Sequence, residues 1–143
     1  MLMTQIEPGL PAASYRIVRL LRRWAAGRDL GPARLPSLVR LGGRIGVEPE
    51  AAIALASLFQ LTEACLGRPL EAECCCSPRL GRDERATLLL LASAPMRPHQ
   101  SVPPIPHGLP GALVWAVASV RKLIGPSELA RNGPPQRCPF QQD

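Results

Sequence analysis

Between residues 14 and 27 apolar side chains return at helical spacing. At about 100° per residue, Ile17, Val18, Leu20, Leu21, Trp24 and Ala25 share one side of a helix, while Arg16, Arg19, Arg22 and Arg23 share the other. Ser14 suits the N-cap and Gly27 the position after the last turn. After Pro32 and Pro36 a short helix is expected over residues 37–44, ending at a glycine. Pro49 at a first helical position, between Glu48 and Glu50, opens the next helix, which runs to Leu66 and stops at Gly67 and Pro69. There Leu55, Leu58, Leu61, Thr62 and Cys65 are the packing positions, with Ser57 and Gln60 turned away.

A third strong helix is predicted over residues 81–94. Glu84 is placed to reach back to its first turn, and four consecutive leucines, 88–91, surround it with apolar groups. Pro95 ends it. A last helix over residues 110–124 carries the stripe Leu113, Val117, Val120 and Ile124 and closes at Gly125-Pro126. The fold class is therefore all-α: a bundle of four to five helices in one domain spanning 14–126. A loose arm (1–13) precedes it, a stiff Pro-rich linker interrupts it at about 95–108, and a disordered tail (127–143) follows. Leu20, Trp24, Leu58, Leu61, Leu89 and Val117 are expected in the core.

Composition agrees with this. Aromatic residues are 3% of a chain that is 46% hydrophobic, so the core must be built from Leu, Ala, Val and Ile, which suits helix-on-helix packing. The net charge is +6, concentrated at the start: residues 1–48 hold eight Arg against three acids. Such a bias suits an acidic partner such as nucleic acid, an anionic membrane surface or an acidic protein face, the membrane least because the apolar side of the first helix is needed for the core. The candidate contact residues are Arg16, Arg19, Arg22 and Arg23, with Arg40 and Arg44 as additions. No aromatic residues interleave them and no helix-turn-helix or RNA-binding motif accompanies them, so a solvated bundle face explains them equally well. The apolar runs 51–59, 88–92 and 109–120 fall short of the ~20 residues that span a bilayer. With no secretory-signal pattern and an odd number of cysteines, the expected location is cytoplasmic, with reduced thiols.

The most unusual local feature is Cys74-Cys75-Cys76-Ser77-Pro78-Arg79-Leu80. In an extended segment neighbouring side chains point to opposite faces, so three adjacent thiols do not converge on one ion. A metal reading would take two of Cys74, Cys75 and Cys76, with Cys74 and Cys76 the candidates, together with Cys65, His99 or His107, but the spacing is not the paired pattern of zinc sites. A redox pair activated by Arg79 or Arg82 is a related alternative, and small buried packing residues are the plain one. No cofactor is implied. No nucleophile–base pair, phosphate loop or small-molecule site emerges either, so the chain is read as a non-enzyme.

The order of an Arg-rich helix, an apolar helix ending Gly67-Arg68-Pro69-Leu70, the cysteine run and a Leu-rich helix resembles a family of small proteobacterial proteins of unknown function, whose members carry Cys-Cys-Cys-Pro-Arg before such a helix. Here Ser77 interrupts that motif. The resemblance spans about residues 15–92 and implies a bacterial, cytosolic, helical protein without naming an activity. The leading expectation is a non-catalytic protein that binds another protein or itself through an apolar helical surface at Leu88, Leu91, Val117 and Val120. The alternatives are a nucleic-acid-binding accessory protein and a cysteine-centred metal or redox protein.

Overall fold

The structure, a computed structural model, describes residues 6–92 and 108–124. Within them five α-helices and no strand form a helical bundle: α1 (Ala12–Ala26), α2 (Arg34–Ile45), α3 (Pro49–Leu66), α4 (Arg82–Ala92) and α5 (Gly108–Ile124). A 3-10 segment, Arg28–Ala33, joins α1 to α2. Residues 93–107, which include His99, His107 and all of the expected linker but its last position, and residues 125–143, which include the expected tail, lie outside the described residues; Gly108, expected in the linker, opens α5. None of the described helices is long and apolar enough to cross a membrane.

Helix α3 is central and packs on α5, α1 and α2, while α4 lies against α1 and α5. Its terminal residues explain its bounds. Pro49 sits at N1 after an extended Glu48, and Gly67 takes the left-handed conformation (φ 68°), donating its N–H to the Glu63 carbonyl. The core is aliphatic, as composition requires: Ile17, Leu20 and Leu21 from α1 meet Leu38, Leu55, Leu58, Phe59, Leu91 and Val120. Ser57 and Gln60 face outward as expected, and Trp24 packs against Phe59 with centroids 6.1 Å apart.

Several expectations need correction. Helix α1 begins at Ala12 behind Pro11, not at Ser14, and the arm before it is anchored: Ile6 is buried, Glu7 N–H donates to the Pro78 carbonyl, and Arg85 pairs with the Glu7 carboxylate. Helix α2 starts at Arg34, so Pro36 falls inside its first turn, where the missing N–H has no helical acceptor to lose. Leu61 and Val117 are half-buried, whereas Leu89 is 49% exposed and Cys65 is exposed. In α4 the residue that enters the core is Leu91, fully buried. A run of four leucines carries no periodicity, so the contacts α4 makes with the rest of the bundle decide which face turns inward.

Candidate functional site

Of the four arginines assigned to the outer face of α1, one is not there. Arg22 lies at the edge of the apolar arc beside buried Val18 and is itself 3% exposed. Each of its three guanidinium nitrogens is engaged. Nε donates to Glu84 Oε2 at 2.7 Å, Nη2 to Glu84 Oε1 at 3.2 Å, Nη1 to the Ser77 carbonyl at 2.8 Å and Nη2 to the Arg79 carbonyl at 2.8 Å. Glu84 is fully buried, and its Oε1 also accepts the Gly81 N–H at 2.8 Å, the capping contact expected of it. Asp83 is buried as well. It takes both terminal nitrogens of Arg68, at 2.7 and 3.1 Å, and the Glu71 N–H at 2.8 Å. The pair Asp83-Glu84 is thus internal rather than a surface charge pair. Burial pushes the Asp83 carboxyl up, but the hydrogen bonds from Arg68 and Glu71 pull harder and hold it below the usual range.

The remaining arginines stand apart. Arg19 bonds the Tyr15 hydroxyl at 2.7 Å and lies over that ring. Arg16 is half-buried against Gly46, and Arg23 is exposed. These three occupy spacing i, i+3, i+7, a single stripe on α1, and Arg40 and Arg44 are exposed on α2. A second polar hub was not legible in advance. Glu63 accepts from Trp24 Nε1 (2.9 Å), Arg28 (2.6 Å) and Leu70 N–H (2.7 Å), while Arg34 stacks on Trp24 at 3.4 Å and donates to its carbonyl. These groups tie the ends of α1 and α3 together, and Arg34 satisfies one of the last carbonyls of α1, that of Trp24.

The cysteines are not packing residues. Cys74, Cys75 and Cys76 are all exposed, on a tight turn in which Ser77 N–H donates to the Cys74 carbonyl at 3.0 Å. Because Cys74 and Cys76 are the first and third residues of that turn, their sulfurs meet at 3.5 Å. Among the described residues no cluster of three His, Cys, Asp or Glu side chains is arranged to hold a metal. The turn is fastened from behind by Arg22 through the Ser77 and Arg79 carbonyls, and Ser77 Oγ accepts the Arg79 N–H at 3.2 Å.

The proposed apolar surface divides in the same way. Leu91 and Val120 are fully buried, and Leu88 and Val117 are half-buried, so they belong to the inward faces of α4 and α5. The apolar groups that do reach solvent on α5 are Val114 (37% exposed), Trp115 (59%) and Leu123 (48%). Gly111, Trp115, Ala118 and Lys122 run down the middle of that outer face at i, i+4, i+7 and i+11. Comparison with protein-family models, curated proteins and solved structures found no match to this chain.

Proposed function

We propose that this chain is a non-catalytic interaction protein that associates with a second copy of itself, α5 against α5. The observation that carries the reading is Trp115, a tryptophan left 59% exposed in the centre of a helical face on which no acid stands. Large exposed tryptophans are the residues that anchor protein interfaces, since they desolvate much area for few rotamers. The seam is also self-complementary. When two copies of α5 run antiparallel about a two-fold axis midway between Trp115 and Ala118, each Trp115 faces the small Ala118 of the second copy, and each Lys122 lies over Gly111 of the second copy. Large then meets small along the seam, and the two ammonium groups sit at opposite ends, about 16 Å apart along the axis. Val114 and Leu123 flank the seam on either side.

The test is sedimentation of the full chain over a range of protein concentration, at low and at molar salt. The expected result is a dimer that persists in high salt and is lost in Trp115→Asp, whose helical circular dichroism is unchanged because the side chain is exposed. A monomer at high micromolar concentration overturns the proposal. So would a complex that forms only with added nucleic acid, dissolves as salt rises and is abolished by Arg19→Glu with Arg23→Glu. That outcome would transfer the function to the basic stripe on α1.

A further inference from the structure

We propose that Cys74 and Cys76 form a reversible dithiol site that exchanges with a small-molecule disulfide of the glutathione kind, closing an internal Cys74–Cys76 disulfide on the surface of the protein. The geometry assembles everything such an exchange needs. Both thiols are exposed, and their sulfurs are 3.5 Å apart. A disulfide requires about 2.05 Å, so about 1.5 Å must be closed, a gap within the sweep of side-chain rotation. The backbone beneath them does not have to be gathered from an unstructured chain. The turn is closed by the Ser77-to-Cys74 hydrogen bond, and Arg22 grips the two carbonyls that follow it. Cys75, between them, is exposed too, and the 3.5 Å sulfur contact joins its two neighbours.

The two thiols have different duties. Either thiol can donate across the 3.5 Å contact; with Cys76 as the donor, and with backbone N–H groups and the nearby Arg22 charge adding to it, the Cys74 thiol is held below the usual range while that of Cys76 is raised. Cys74 therefore supplies the thiolate. Its sulfur attacks one sulfur of the small disulfide, the S–S bond of that molecule breaks, and the first thiol leaves and takes a proton from water. The Cys76 thiol then gives up its proton to solvent, and its sulfur attacks Sγ of Cys74. The mixed disulfide breaks and the second small thiol departs. Two electrons and two protons pass from the protein dithiol to the small disulfide, which ends as two thiols. Excess reduced thiol reverses both steps. The site is independent of α5, so it does not rest on the dimer.

The experiment equilibrates the full-length protein in buffers of rising oxidised-to-reduced glutathione ratio. Each sample is quenched in acid, its free thiols are alkylated, and the bonds are mapped by peptide mass. The expected product is an internal Cys74–Cys76 disulfide, formed equally in Cys75→Ser. In Cys76→Ser the reaction should stop at a glutathione adduct on Cys74. In Cys74→Ser the initial exchange with the turn should slow at least roughly tenfold at neutral pH. All three substitutions are at exposed positions, and unchanged circular dichroism verifies the fold. The proposal is overturned by a disulfide that includes Cys75, by equal adduct formation on all three cysteines, or by a turn that stays reduced in excess oxidised glutathione.

Discussion

Breaking the Arg22–Glu84 pair by removing one member should destabilise the fold far more than removing both. Both side chains are out of water, 2% and 0% exposed. Glu84→Leu leaves a guanidinium buried with two carbonyls and no counter-charge, and it frees the Gly81 N–H that Glu84 caps. A buried ion pair broken from one side costs about 3–5 kcal/mol, and a lost cap adds about 1 kcal/mol. For a chain of this length each kcal/mol moves the melting temperature by roughly 3–5 °C, so a fall of about 12–30 °C is expected. Arg22→Met leaves the carboxylate unpaired instead and should behave alike. In the double variant neither charge remains. The Ser77 and Arg79 carbonyls belong to half-buried and exposed residues that water reaches, so the loss there should be well below the sum of the two single losses. Urea unfolding followed by circular dichroism on the four proteins measures the coupling, expected at about 2 kcal/mol or more. Single losses below about 1 kcal/mol, or additivity within about 0.5 kcal/mol, would refute the argument.

Two further outcomes follow from the same packing. Asp83 and Glu63 are both held below the usual carboxylate range: burial pushes each up, but Arg68 on the one and Arg28 with Trp24 on the other outweigh it. A depressed folded-state value means stability that is present above the unfolded value of about 4 and lost as pH falls through and below it. The urea midpoint should therefore be level down to about pH 5 and drop below about pH 4, with a shallower drop in Asp83→Asn. Leu58→Ala, at a fully buried position of α3, should cost about 2–5 kcal/mol in the same unfolding assay.

The elements whose ends are written in local chemistry were legible from sequence. Helix α3 matches its expected bounds because Pro49 and Gly67 act on their own neighbours. The 3-10 segment and the start of α2 were not, since Pro32 and Pro36 read as breakers, although Pro32 follows a non-helical kink at Gly31 (φ 54°) that restarts the turn and Pro36 lies in the first turn of α2, where no N–H donor is needed. Site chemistry was harder because it is made of distant partners. The contact of Glu84 with Gly81 is three residues long and could be anticipated, whereas its contact with Arg22 spans 62 residues. A helical wheel places Arg22 among the other arginines, and only the position of α4 shows that this edge is covered. Cysteine's tendency toward burial misled for a similar reason: the turn that carries the thiols stands outside the helices, and nothing local to Cys74, Cys75 and Cys76 says so.

The pin between α1 and α4 also has a meaning in time. Its two charges, 62 positions apart, gain each other only after the intervening chain has been brought round and the water between them expelled. An interaction of that kind belongs to the late side of the folding barrier, when the aliphatic faces of the helices have already met. Its energy then resists opening and adds little to the speed of assembly. The protein would collapse at the pace its leucines set and, once closed, come apart slowly, with Arg22 governing how long each molecule keeps the thiol-bearing turn in its folded form.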